Sequence, residues 1–199
     1  KAGLNHLNWN MRYPGADGFE GMILWWASLN GPTAVPGDYK VRMVHGDQSA
    51  EKPFKIMPDP RSTATMADMQ AKFDYLNSIV IKMSETNNAI KKIREVRGQI
   101  NEVKELSDNE EIQAKADEIL EKMKGVEENL YQTKNRSGQD PLNYPIKLNN
   151  RLGHLNSLEG IGDFRPTEQA IQFKDEVIAL IDVELNKLEE IWESDIPGL

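Results

Sequence analysis

The spacing of apolar and polar residues changes once along the chain, near the stretch MPDPRST at residues 57–63. Before this stretch, apolar and polar residues alternate in several places, which is typical of half-buried strands. After it, apolar residues recur every three or four positions, which is typical of amphipathic helices. The pattern predicts a mainly α protein in two parts: a small antiparallel β-sheet with a long apolar loop over residues 1–62, and a helical bundle over residues 63–199.

Three stretches in the first part alternate as strands do: LNHLNWNM at 4–11, DYKVRMV at 38–44 and KPFKIM at 52–57. Each places one apolar set on a common face: Leu7, Trp9 and Met11; Tyr39, Val41 and Met43; Phe54 and Ile56. The residues HGDQSAE at 45–51 supply turn chemistry, so the last two stretches are predicted to form a hairpin. Pro53 suits an edge strand or a strand start, because it cannot donate to a strand ladder.

The loop over residues 13–37 is long and contains the apolar run MILWW. Such a loop is uncommon inside a compact domain. It is predicted to pack on the helices or on sequence upstream. The apolar face of the sheet also needs a cover, and the candidates are this loop, the helices or a second copy of the chain.

Four helices are predicted in the second part, over about 67–105, from a cap at Asp108 to about 130, over about 146–158 and over about 167–193. Thr65 and Asp68 at the start of the first have the spacing of a capping box. Helices of this length joined by short loops favour an antiparallel bundle of about four helices. The predicted core positions are Met69, Phe73, Leu76, Val80, Met83, Ile90, Ile93, Ile100 and Val103, with Asn87 in an apolar slot; Ile112, Ala116, Ile119, Met123, Val126 and Leu130; Leu148, Leu152 and Leu155; and Ala170, Phe173, Val177, Leu180, Ile181, Leu185, Leu188 and Trp192.

The formal net charge of -8 argues against general binding to nucleic acid or to an anionic membrane, since both need clustered basic charge. The basic run Lys91, Lys92, Arg94 and Arg97 is interpreted as a solvated helix face. The longest apolar run, GMILWWA at 21–27, is far shorter than the roughly 20 residues that span a bilayer. The chain has no cysteine, which excludes disulfides and thiolate chemistry.

No catalytic residue, metal ligand or cofactor site is predicted, and whether the protein is an enzyme stays open. Adjacent acids on a helix point in different directions, so they are poor candidates for a glycosidase pair and are interpreted as solvated faces. The histidines lack the spacing of a recognised ligand motif. The residues concerned are Glu110 and Glu111, Glu127 and Glu128, Glu189 and Glu190, and His6, His45 and His154.

Trp25 and Trp26, together with Trp9 and Tyr13, form the one aromatic group that suggests a ligand platform, and Trp25, Trp26 and Tyr13 are its candidate ligand-binding residues. Aromatic faces stack on the apolar faces of sugar rings, much as they pack in any apolar contact. The alternative is that these rings cover the sheet or contact a neighbouring domain, and the sequence favours that alternative.

Three segments occur in a fixed order: AGLNHLNWNMRYPGADGFEGM at 2–22, GPTAVPGDYKVRM at 31–43 and KPFKIMPDPRS at 52–62. As a set they resemble the C-terminal region of large bacterial proteins with a sortilin-like or BNR-type β-propeller, often labelled glycosyl hydrolase-like. The helix that follows fits the same pattern, but beyond about Gly98 the resemblance is weak. His6 stands where the family commonly has Arg, and Asn10 where it commonly has Asp.

The resemblance implies that a propeller lies upstream and that the strands belong to a partial Ig-like sandwich. It also implies an exported protein, periplasmic or on the cell surface of a bacterium. The expected function is a non-catalytic structural or interaction module whose partner is the propeller of the same protein. The open sheet edge and the helices are also candidate surfaces for a homo-oligomer.

Two alternatives remain open. One is a carbohydrate-binding module that uses Trp25, Trp26 and Tyr13. The other is an accessory part of an active site formed mainly by the propeller, with Arg12 and Asp17 as the residues to test. A hydrolase activity of the parent protein, and its substrate, are left open by the sequence.

Overall fold

The computed structural model describes residues 3–199, so Lys1 and Ala2, with which the predicted β-rich part begins, lie outside the described residues. It has four α-helices and one two-stranded antiparallel sheet, which confirms the predicted fold class. The elements are β1 (Gly37–His45), β2 (Gln48–Ile56), α1 (Met66–Leu106), α2 (Glu110–Leu130), α3 (Leu148–Glu159) and α4 (Glu168–Glu190). A π-helical turn (Ile191–Asp195) follows α4. None of the described helices is both long and apolar enough to cross a membrane.

The helices begin where the local chemistry supplies caps. The Thr65 side chain accepts a hydrogen bond from the backbone N–H of Asp68 at 3.2 Å, and the Asp68 carboxylate accepts one from the backbone N–H of Thr65 at 3.0 Å. This confirms the predicted capping box. The cap predicted for α2 at Asp108 is wrong: the neighbouring Asn109 accepts from the backbone N–H of Glu111 at 2.9 Å.

The long helix α1 organises the bundle, and its 41 residues extend over about 61 Å. Both α2 and α3 run antiparallel to it and lie one after the other along its length, whereas α4 runs in the same direction as α1. The contacts that fix these directions are Lys104 with Asp117 and Arg94 with Glu127 for α2, Asn87 with Asn149 and Lys72 with Ile161 for α3, and Tyr75 with Ala170 and Lys82 with Asp182 for α4.

The core lies where the helical periodicity predicts it, with a few departures. The predicted positions that are buried are Met69, Leu76, Val80, Met83, Ile90, Ile93, Ile100, Ala116, Ile119, Met123, Val126, Leu130, Leu148, Leu152, Leu155, Ala170, Val177, Ile181 and Leu188. Phe173, Leu180 and Val103 were also predicted to be core and are exposed instead. The apolar arc of α4 is wider than the surface its neighbours cover. Val103 lies near the end of α1, three residues before Leu106, which is 90% exposed.

A buried ion-pair network joins α1 to α2. The predicted solvated face is wrong for Glu127, which is only 3% exposed. Its carboxylate accepts from Arg94 Nε at 2.7 Å and forms a second ion pair with Arg97. The Arg94 guanidinium also lies over the rings of Phe19 and Tyr131. Two of the four cations that were predicted to be solvated therefore neutralise a buried acid, which is the condition under which a buried charge is tolerated.

The loop that contains MILWW packs on the helices. We call residues 13–31 the docked segment. Asn150 of α3 accepts from the backbone N–H of Trp25 at 2.6 Å and donates to its carbonyl at 2.8 Å. Further along α3, Asn156 donates to the carbonyls of Ser28 and Asn30 at 2.8 and 2.9 Å. Two side chains of one helix thus bind the backbone of a segment that has no strand partner there.

A second group of contacts binds the first part of the docked segment to α1 and to the end of α2. Asn87, fully buried in its apolar slot, donates to the carbonyl of Asp17 at 2.7 Å. Its side-chain oxygen accepts from Asn149 at 3.2 Å. The Ser84 hydroxyl accepts a hydrogen bond from the backbone N–H of Asp17 at 3.0 Å. The Tyr131 hydroxyl accepts one from the backbone N–H of Ile23. The polar residue in the hydrophobic seam is therefore part of the docking contacts.

The strand predicted over residues 4–11 is wrong, because these residues have no strand partner. The hairpin strands pair with each other, and the described chain before β1 makes one isolated bridge, from Arg12 to Thr33. Met11 has a φ of 57°, which ends any extended run. Leu4 and Leu7 are almost fully exposed.

We predict that Asn150→Ala lowers the free energy of unfolding by about 2–3 kcal/mol, because two hydrogen bonds are lost and the backbone groups of Trp25 stay half-buried. Urea unfolding measures the loss, and chymotrypsin cleavage within the docked segment should become faster. The exposed Asn101→Ala on α1 is the control and should change stability by less than about 0.5 kcal/mol. Equal losses in both variants would contradict the docking role.

We also predict that protonation of the capping box contributes to the loss of folding stability at low pH. Hydrogen bonds from Thr65 and Arg165 to the carboxylate lower the pKa of Asp68 from 3.8 to about 2. Since the folded pKa lies below the unfolded one, the stabilisation by these hydrogen bonds is complete above about pH 4 and is lost as the pH falls towards 2. Urea unfolding across that range should show a shallower loss of stability in Asp68→Asn than in the wild type. Parallel curves would show that the cap does not act in this way.

Candidate functional site

The hairpin of β1 and β2 projects from the bundle and is the most exposed regular element of the described chain. Each strand has nine residues, and their register runs from Gly37 opposite Ile56 to His45 opposite Gln48. A two-residue turn joins them, with Gly46 at a φ of 55°. Glycine at the first central position with positive φ is the requirement of a type II′ turn, which suits the twist of a hairpin. The predicted hairpin is therefore confirmed.

One face of the hairpin carries most of its apolar side chains and is open to solvent, with the exposed Lys52 directly across from Val41. Val41 is 53% exposed and Met43 is 68% exposed. The expectation that the MILWW loop or the helices cover this face is wrong, because that loop packs on α1 and α3 instead. At the base, Trp9 packs edge-on against Phe54 and tilted against Tyr39, with ring centroids 6.2 and 6.1 Å apart. These rings close the inner end of the face and leave its outer half uncovered.

The opposite face carries charge. Lys40 and Arg42 both reach the Glu51 carboxylate, at 3.9 and 3.7 Å, and all three side chains are largely exposed. Two cations therefore share one carboxylate at distances close to the upper limit for an ion pair. Exposed pairs of this kind contribute little to stability. The hairpin holds four basic and three acidic side chains, in a protein whose net charge is -8.

The two edges of the hairpin differ. In an antiparallel pair, hydrogen-bonded residue pairs alternate with pairs whose N–H and C=O groups point outward. The closing pair of a two-residue hairpin, His45 with Gln48, is of the first kind, so Lys40 with Pro53 is of the second. Pro53 therefore lacks an outward donor on the β2 edge. The β1 edge keeps all its outward groups, at Asp38, Lys40, Arg42 and Val44.

The base of the hairpin meets the bundle at a cavity of about 300 Å³. Its wall includes Met11, Val35, Ile56, Phe73 and Lys72. Lys72 donates to the carbonyls of Ile161 and Gly162, and its partial burial lowers its pKa. Sequence reasoning missed Lys72, because a lysine that flanks the apolar seam of a helix usually extends to solvent. Here it ties α1 to the loop before α4.

The structure separates the three candidate ligand-binding residues of the predicted aromatic platform. Trp25 and Trp26 lie together, with ring centroids 6.4 Å apart at 37°. Tyr13 packs edge-on against Phe73, at 4.8 Å, and makes no ring contact with either tryptophan among the described residues. Trp26 is 72% exposed, whereas Trp25 is half-buried.

Trp26 has a φ of 48°, in the left-handed region that bulky residues rarely adopt. Its carbonyl lies 3.2 Å from Nδ1 of His154, and Asn150 holds the preceding residue. The exposed Trp26 ring is therefore held by a backbone conformation that is energetically unfavourable for this residue. Such strained residues cluster at functional sites.

Arg12 and Asp17, the residues considered for an accessory role in an active site, make structural contacts. Arg12 donates to the carbonyl of Gly31 at 2.9 Å. The backbone of Asp17 bonds to Ser84 and Asn87, and its carboxylate accepts from Asn88 at 2.8 Å. Within residues 3–199 no group of three or more His, Asp or Glu side chains is arranged to hold a metal ion.

Comparison with protein-family models, with curated protein sequences and with solved structures finds no match to this chain.

We predict that the free energy of unfolding of Trp26→Gly is about 0.5–1 kcal/mol higher than that of Trp26→Ala. The glycine variant is more stable because glycine adopts positive φ without the steric penalty of a Cβ atom. Both variants lose the same ring, so their difference isolates the backbone conformation. Thermal or urea unfolding measures it. An alanine variant as stable as the glycine variant would show that the left-handed conformation is not retained in solution.

Proposed function

We propose that this chain is a non-catalytic interaction module in which the bundle supports the hairpin and the hairpin docks on another domain or protein. The uncovered outer half of the apolar face, at Val41 and Met43, is the observation that carries the proposal. A two-stranded hairpin is marginally stable on its own, and an open apolar strand invites pairing with other chains. A bound partner covers such a surface.

The partner we propose is a β-propeller of the same protein, which acts outside the cytoplasm of a bacterium, in the periplasm or on the cell surface. The support is the resemblance of residues 2–62 to the region that follows the propeller in sortilin-like, glycosyl hydrolase-like proteins. In such a protein the hairpin extends a partial Ig-like sandwich, and the bundle meets the base of the hairpin and supports it.

Site-specific photo-crosslinking in the native cells tests this proposal. A photoreactive amino acid at Met43 should give an adduct with one defined peptide, identified by mass spectrometry, and that peptide should lie in a propeller domain. The matched control is the same amino acid at Leu180, which is exposed on α4. Adducts no more abundant at Met43 than at Leu180 would contradict docking through the hairpin.

A second candidate function is carbohydrate binding at the tryptophan pair, favoured by the exposed ring of Trp26 on its left-handed backbone. Stacking of a sugar on this ring should be lost in Trp26→Ala and kept in Tyr13→Ala, since Tyr13 packs elsewhere on Phe73. A glycan array followed by calorimetric titration measures it. Absence of binding by the wild type, or equal binding by Trp26→Ala, would rule the function out.

A further inference from the structure

We infer that the β1 edge binds an extended segment of a partner in which acidic and apolar residues alternate. This inference rests on the proposed docking function of the hairpin and adds the chemistry of what docks. Addition of a strand to an open sheet edge is a common mode of peptide recognition, in which the backbone supplies affinity and alternate side chains supply specificity.

The choice of edge follows from the register. Outward backbone groups on β1 belong to Asp38, Lys40, Arg42 and Val44, and no other backbone hydrogen bond of the described chain engages them. On β2 one of the two central outward positions is Pro53, which has no N–H to offer. A partner strand therefore finds a full set of donors and acceptors on β1 alone.

The pattern of the partner follows from the two faces. Its residues opposite Lys40 and Arg42 lie on the charged face, where the single Glu51 carboxylate is shared at 3.7–3.9 Å. Opposite charges directly across a strand pair are favourable, so acids belong there. Residues opposite Val41 and Met43 lie on the exposed apolar face, so apolar side chains belong there. The minimal matching sequence is Val-Glu-Val-Glu-Val.

A second copy of the chain fits this edge poorly. When two β1 strands pair antiparallel about a two-fold axis in the register that uses all four outward residues, Lys40 of each copy lies opposite Arg42 of the other. Like charges directly across a strand pair are destabilising. The basic edge thus disfavours self-association, a role that lysine often has on edge strands.

The test uses the full chain and a capped synthetic Val-Glu-Val-Glu-Val peptide, with binding followed through the backbone amide signals of the hairpin. We expect shifts at the outward amides of Lys40 and Arg42, a weaker response to Val-Lys-Val-Lys-Val, and loss of affinity at high salt. Arg42→Gln should weaken binding about two- to fivefold, the range expected of one exposed charge pair. Glu51→Gln should strengthen it, because the competing carboxylate is removed.

Proline variants separate the backbone from the charge. Arg42→Pro removes an outward donor at an edge position and should weaken binding at least tenfold more than Arg42→Gln. Ser49→Pro is the matched control: Ser49 is also outward-facing but lies on the β2 edge, so binding should not change. Retained amide signals of the bundle and of the hairpin residues away from each substitution show that each variant is folded.

The outcomes separate this inference from the function on which it rests. Equal binding of the Glu and Lys peptides, equal effects of Arg42→Pro and Ser49→Pro, or no binding at millimolar peptide would overturn the inference. A dimer that forms through β1 at the same protein concentration would also overturn it. If Met43 still crosslinks to a propeller in any of these cases, docking through the hairpin stands and only the acidic strand is wrong.

Discussion

Asparagine side chains that bind the backbone of residues 13–31 are the constraint on which the rest of the structure depends. An irregular segment that packs on helices must satisfy its N–H and C=O groups without a strand partner. Asparagine carries both a donor and an acceptor, so Asn150 satisfies both backbone groups of Trp25 at once. Asn87 and Asn156 extend these contacts along the segment, and Asn149 donates to the side-chain oxygen of Asn87. They allow an apolar loop to become part of the core.

This docking decides where the hairpin lies. The segment leaves the bundle beside the bridge between Arg12 and Thr33, and the chain enters β1 four residues later. The apolar residues that could have covered the sheet, such as Leu24 and Leu29, are already packed on the helical core. The hairpin is consequently held at its base by aromatic rings and left open at its outer end. The exposed face and the docking of the loop are two results of one arrangement.

Features that depend on local spacing could be predicted from the sequence, and features that depend on distant partners could not. The heptad seam of α2, from Ala116 to Leu130, and the capping box at Thr65 are local and were confirmed. Glu127 looked solvent-facing because its partners Arg94 and Arg97 lie on another helix. The alternation over residues 4–11 is a strand pattern without a strand to pair with. Three asparagines in the twelve-residue α3 were the available signal of a polar docking surface, since asparagine is an unusual choice in a helix interior.

The measurement that tests this arrangement most directly is amide hydrogen exchange of the intact protein, resolved by residue. The N–H groups of Ile23 and Trp25 should be protected, because Tyr131 and Asn150 bind them. Those of Lys40 and Arg42 should exchange rapidly, because they face solvent on the open β1 edge. Rapid exchange at Trp25 would contradict the docking of the segment, and protection at Lys40 and Arg42 would contradict the open edge.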